Sequence, residues 1–176
     1  MKVVKYILIF ATSILAIIIL ISLFLPSKYK IEREIIIDSN FATIEDYIID
    51  LRKWEDWSYM STKKDTSMTI SYQQNNLGPY SSAKWKSKFM GAGVLRIFNY
   101  KPNKSIDYEI IINDDEHRIN GTFFLDSLNN GIRVKWVDYG ELGFNPAARV
   151  FGMLMEKYMG RDQESSLLDL KLAIEK

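Results

Sequence analysis

Twenty consecutive residues without a charge, YILIFATSILAIIILISLFL at positions 6–25, constrain this chain more than any other feature. Wound as a helix at about 1.5 Å per residue, the run spans roughly 30 Å, the thickness of a bilayer's hydrocarbon core. A helix resting on a soluble core would show water a polar side, and this one has none to show. The competing reading is a cleaved signal peptide. Its apolar region runs only about 7–15 residues, and Leu23-Phe24-Leu25 lacks a small-x-small cleavage pattern. The expectation is a single-pass membrane helix over 6–25, with a short tail over 1–5, a linker over 26–29 and one domain over 30–176. Lys2, Lys5 and the amino terminus on one side stand against Lys28, Lys30 and Arg33 on the other. With no strongly basic block to retain the far side, the expected orientation has the N-terminus inside and the domain outside.

That domain holds every tryptophan: Trp54, Trp57, Trp85 and Trp136. Large rings bury much area, so the domain can build a sizeable core with apolar lining to spare. Lys and Arg are scattered and the net charge is only +1, which argues against a nucleic-acid-binding stripe. The absence of cysteine excludes disulfides, thiolate metal sites and cysteine nucleophiles.

Past Pro26 the pattern turns to alternation. Residues 30–38 (KIEREIIID) form a strand candidate. Asp38, Ser39 or Asn40 can cap a helix carrying Phe41, Ile44, Tyr47 and Ile48 at spacings of three and four. Trp54 and Trp57, three apart, share one side of a short second helix or turn. A run of antiparallel strands follows. In 82–89, Ala83, Trp85, Ser87 and Phe89 alternate with Lys84, Lys86 and Lys88, the mark of a half-solvated strand. Met90-Gly91-Ala92-Gly93 reads as a turn into a strand over 94–100, and Asn75-Asn76-Leu77-Gly78-Pro79 as another turn. Ile106, Tyr108, Ile110 and Ile112 share a strand face. Asn129-Asn130-Gly131 is a hairpin signal before a last strand with Val134 and Trp136 on one side. Asn145-Pro146 opens a long final helix. There Ala147, Val150, Phe151, Leu154 and Tyr158 mark one face, a bend is expected at Gly160, and Leu167, Leu168, Leu172 and Ile174 continue the stripe. A curved antiparallel sheet with this helix across its concave face buries these stripes economically.

Four motifs in this order carry a resemblance: Leu51-x-x-Trp54-x-x-Trp57-Ser58; Gly91-x-Gly93 leading to Pro102-Asn103-Lys104-x-Ile106; Gly131-x-x-Val134-x-Trp136-x-x-x-Gly140; and Gly160-Arg161-Asp162-x-Glu164-x-x-Leu167-x-x-Leu170-Lys171. With them the chain from Tyr29 onward resembles the START-like, or SRPBCC, superfamily, in its polyketide cyclase/dehydrase and lipid-transport branch. The resemblance implies an α+β helix-grip fold, a curved antiparallel sheet wrapped around a long C-terminal helix, with a deep cavity for apolar ligands between them. One departure is Tyr59, where many relatives carry proline. Members include enzymes and non-enzymes, so the fold does not settle activity.

Candidate cavity residues are Trp85, Phe89, Tyr108, Phe123 and Trp136 on the sheet, Trp54 and Trp57 at one mouth, and Met153 and Tyr158 on the helix. For each, ordinary core packing is the competing account. Arg149 or Arg161 would meet a ligand's carboxylate or phosphate if it faced inward; otherwise each is a solvated surface arginine. Asp114, Asp115, Glu116 and His117 mimic a metal cluster, but consecutive residues point apart, so a turn is expected and no metal. His117 is the only histidine, and there is no nucleophile elbow, phosphate loop or dinucleotide fingerprint. No catalytic residue and no cofactor are assigned. The leading expectation is non-catalytic binding of a lipid or other apolar small molecule beside the membrane. A cyclase- or dehydratase-like enzyme and a ligand-free protein-interaction module are the alternatives.

Overall fold

A computed structural model describes residues 2–73, 80–113 and 117–176. The expected turn at 75–79, and Asp114, Asp115 and Glu116, lie outside them. Helix α1, Lys2–Leu23, is the apolar segment. It ends two residues before the expected Leu25. One stretch of it, Val3–Ile21, is long and apolar enough to cross a membrane and is not buried against the domain.

Strand β1 (Lys28–Ile37) leads to α2 (Phe41–Ile49), a 3₁₀ turn (Leu51–Lys53) and α3 (Trp54–Trp57). Asn40 caps α2 by accepting from the Thr43 N–H at 2.9 Å. Six strands follow: β2 (Thr69–Tyr72), β3 (Ser82–Ser87), β4 (Gly91–Lys101), β5 (Ser105–Ile112), β6 (His117–Leu128) and β7 (Gly131–Glu141). The final helix α4 runs unbroken from Pro146 to Ile174, capped by Asn145, and the expected bend at Gly160 does not interrupt it. All strands join one antiparallel sheet in the order β1-β7-β6-β5-β4-β3-β2. With α2, α3 and α4 gathered on one face, this is the helix-grip architecture.

Three aromatic rings lie flat against glycines on a neighbouring strand of the inner face. Trp85 pairs with Gly93, Tyr108 with Gly121 and Tyr29 with Gly140. A Cβ at Gly121 would sit 2.1 Å from Tyr108 Cζ, and one at Gly93 would sit 2.3 Å from Trp85 Cζ2. Omitting the side chain makes room for each ring and lets the sheet curve beneath it. Gly91 and Gly93 are therefore part of β4, not of a turn before it.

Two expectations are corrected. Strand β3 stops at Ser87, because Ser87 Oγ accepts from the N–H of Phe89 at 3.0 Å and of Met90 at 2.9 Å. That local turn competes with the ladder, and it swings Phe89 out to 85% exposure. The apolar stripe of the first half of α4 is the second case. Ala147, Val150, Phe151, Leu154 and Tyr158 face solvent, while Arg149, Gly152 and Met155 face inward. Gly152 and Gly160 explain the inversion. Their missing side chains give way to the Leu142 side chain and the Arg33 guanidinium, so the helix backbone itself lies close to the sheet. In the second half Leu167 and Leu170 are buried, whereas Leu168 and Leu172 are exposed.

Candidate functional site

Three expected wall residues and the two tryptophans expected at a mouth close up on one another. Trp54, Trp57, Tyr108, Phe123 and Trp136 are all at most 3% exposed, with ring centroids 4.8–6.4 Å apart in mostly edge-to-face or tilted pairs. The Trp54 indole N–H donates to Ile48 O at 2.8 Å and that of Trp57 to Tyr47 O at 3.2 Å. These carbonyls end α2 and have no helical partner of their own. The two tryptophans thus fasten α2 to α3 and fill the deep end of the grip. They do not stand at a mouth.

The opening lies further along, between β3–β6 and α4. A cavity of about 450 Å³ has Met60, Trp85, Met90, Ile110, Ile119 and Met159 as its apolar lining. Tyr59, Lys64, Asp65 and Asp162 supply polar groups, and Phe89 stands at the solvent side. Its size is that of ordinary small-molecule sites. Burial raises the Tyr59 hydroxyl far above its usual range, with Asp138 and Asp162 adding to the effect. Burial also raises the Asp162 carboxyl, against an opposing pull from Lys64.

Beneath the aromatic cluster sits a wholly buried polar group. Asp138 accepts from Tyr108 OH, from Trp136 Nε1 at 3.1 Å and from Gln163 Nε2 at 3.0 Å. Desolvation outweighs these bonds and pushes its carboxyl up to about 6. Asp138 was not anticipated, although it continues the inward parity of Val134 and Trp136. The network is enclosed by packed rings, so it positions Trp136 and Tyr108 and does not itself line the cavity.

The remaining candidates lie elsewhere. Arg149 is buried, yet its Nε donates to Gly143 O at 2.8 Å and Nη1 to Leu25 O at 3.3 Å, so it serves the junction between α1 and α4. Met153 is exposed beside a small groove of about 230 Å³ at that junction, and Tyr158 is on the outer face of α4. Arg161 is exposed too. His117 is exposed at the start of β6, and no acidic or histidine cluster fit for a metal exists among the described residues. A larger groove of about 820 Å³ crosses the outer sheet face. Its cations are engaged, Lys28 with Glu141 at 3.1 Å, Lys135 with Glu32 at 3.1 Å and Arg133 with Asp126 at 2.8 Å, as is Lys64 of the inner cavity, with Asp169 at 2.7 Å; the inner cavity has the more apolar lining of the two.

No protein-family model matches the sequence, and no curated protein does. Solved structures do match. The di-domain ARO/CYC StfQ from the steffimycin biosynthetic pathway aligns with a TM-score of 0.63 at 9% identity, over 84% of this chain and 51% of that one. Bacillus halodurans BH1534 aligns at 0.61 with 13% identity, over 85% and 99%. The Aha1 dimer from Colwellia psychrerythraea aligns at 0.57 with 15% identity, over 83% and 96%. At these identities the likeness carries the fold. The chain from β1 onward adopts the helix-grip fold shared with cyclase/aromatase-like proteins.

Proposed function

We propose that the domain binds an apolar small molecule, a lipid among the candidates, in the cavity between β3–β6 and α4, while α1 holds it at a bilayer. The observation that carries this reading is the cavity of about 450 Å³ with methionine, isoleucine and tryptophan lining and polar groups at one side. Apolar burial would supply most of the affinity at about 25 cal/mol per Å², and flexible methionines suit a ligand of variable shape. Tyr59 and Asp162 would orient its polar end. The anchor raises the effective concentration of a membrane-derived ligand without adding a contact.

No described side chain of α1 belongs to the hydrophobic core, and β1 pairs with β7 from Lys28 on. Residues 24–176 can therefore be produced alone, checked for a cooperative melt, and examined by native mass spectrometry. An apolar molecule should copurify, and Ile119→Trp, which fills the cavity from a half-buried position, should displace it. A folded protein that arrives empty and ignores a panel of lipids and apolar dyes would move the assignment to a protein-interaction module.

One observation favours a second reading, a cyclase- or dehydratase-like enzyme. Asp162 is a raised carboxyl on the cavity wall, suited to giving or taking a proton. StfQ, an ARO/CYC protein, shares the fold. If this reading holds, Asp162→Asn abolishes turnover of the copurified molecule while leaving its binding intact.

A further inference from the structure

The outward stripe of α4 is a contiguous apolar surface along one helix, apart from the singly exposed rings of the sheet such as Phe98 and Phe124. Val150, Phe151, Leu154 and Tyr158 are each at least 42% exposed, and Phe144 just ahead of the helix is 87% exposed. Exposed patches of this kind mark interaction sites. The patch stays largely exposed although α1 touches α4.

Its place in the fold identifies what covers it. Only four residues separate the end of α1 at Leu23 from β1 at Lys28. Within them Leu25 O accepts from Arg149, and Ser27 O accepts from the Leu142 N–H at 2.7 Å. The start of α4 is thus tied to the point where α1 ends. Phe24, 90% exposed, lies in the same connection. Exposed Lys157 and Arg161 flank the stripe on its helix. An apolar helical face with aromatic residues and basic flanks is the composition of a helix lying in the interfacial plane.

We propose that the first half of α4, with Phe144 and Phe24, rests on the bilayer surface from which α1 emerges, its aromatic and aliphatic side chains entering the boundary between headgroups and acyl chains. The proposal rests on α1 being a membrane anchor and adds a second, peripheral contact. It also bears on the binding reading: the helix that would meet the bilayer carries Met159 of the cavity lining directly after Tyr158 of the docking face.

The absence of cysteine makes the test clean. Single variants I14C, K84C and F151C of the full chain, labelled with an environment-sensitive fluorophore, are reconstituted into vesicles of phosphatidylcholine with phosphatidylglycerol. Position 14 lies mid-α1, and Lys84 is exposed on the outer sheet face. The expected result is deep quenching at 14 by chain-centre doxyl lipid. At 151, shallow doxyl lipid should quench strongly and aqueous iodide several-fold less than it does at 84. Iodide access at 151 equal to that at 84, with 14 still in the bilayer, overturns the docking and leaves the anchor standing. A probe at 14 that remains in water overturns both. Shielding at 151 without doxyl quenching means that protein, such as a second copy, covers the face, and this also overturns the proposal.

Discussion

The backbone N–H of Tyr59 donates to the side-chain oxygen of Ser166 at 2.9 Å, joining the segment after α3 to the buried side of α4. Proline, expected here by resemblance, has no N–H to give. The Tyr59 ring then stacks on Trp136, with centroids 6.1 Å apart and planes at 22°, and reaches the cavity wall. A departure from the pattern of the resembled family thus coincides with a specific tether across the grip.

Ser166→Ala removes that acceptor and leaves a partly buried N–H without a partner, at a cost of about 1–3 kcal/mol. Tyr59→Pro removes the donor. Since both changes break one bond, the double variant should lose clearly less than the sum of the single losses in denaturant titrations. Strict additivity would show that the bond contributes little.

Gly121 on the inner sheet face and Gly143 in the exposed turn before α4 differ in what an added methyl meets. Gly121→Ala would drive a Cβ into the Tyr108 ring, forcing the ring and its bond to Asp138 to move. Overpacking of this kind costs about 1–3 kcal/mol, and the disturbed buried network adds to it. At Gly143 φ is +59° and nothing lies within 4 Å of the added Cβ, so Gly143→Ala meets only backbone strain, roughly 1 kcal/mol. Thermal melts of the two variants should rank Gly121→Ala well below Gly143→Ala.

Much of the sheet was legible because period-two patterns carry their own direction. Lys84 and Lys86 against Ala83 and Trp85 say which side meets water, and the structure agrees. Local chemistry overrode parity at Phe89, where Ser87 terminates the strand. The stripe on α4 was legible as a stripe but not as to what it faces, since periodicity identifies an apolar side without naming its neighbour. Only the small residues Gly152 and Gly160 hinted that the other side would approach the sheet. The aromatic residues were read correctly as inward at Trp85, Tyr108, Phe123 and Trp136, yet inwardness does not separate packed core from cavity wall. Met60, Met90 and Met159 escaped notice because scattered methionines carry no pattern.

Asp138 ties stability to pH. Its carboxyl is raised from 3.8 to about 6, so the folded protein holds this proton more tightly than the unfolded chain does. Below both values the group contributes no difference. As pH rises through the window from about 4 to about 6 the unfolded chain ionises first, stability falls, and the loss is complete above the folded value. The gap corresponds to about 3 kcal/mol. Asp50 and Asp65, both lowered, work in the opposite sense, so the clean measurement is the difference between wild type and Asp138→Asn. That difference should shift in favour of the variant by about 2 kcal/mol between pH 4 and pH 7. A difference that stays constant with pH refutes the assignment.

Arg149 offers the last test, because it joins the linker after α1 to α4 through a planar fork. Nε reaches Gly143 O, Nη1 reaches Leu25 O, and the guanidinium lies 5.5 Å from the Phe144 ring centroid. Lysine keeps the charge but cannot span two carbonyls in that geometry. Arg149→Lys should therefore loosen the stretch from Leu142 to Asn145 and the linker at Leu25 together, while the distant β3–β5 region keeps its protection. Hydrogen exchange on the full chain in vesicles reads both regions at once. Faster exchange confined to the two tied segments supports a hinge held by one side chain. Unchanged exchange would assign the connection to the Leu142–Ser27 backbone bond instead, and Leu142→Pro, which deletes that N–H, should then produce the loosening that Arg149→Lys did not.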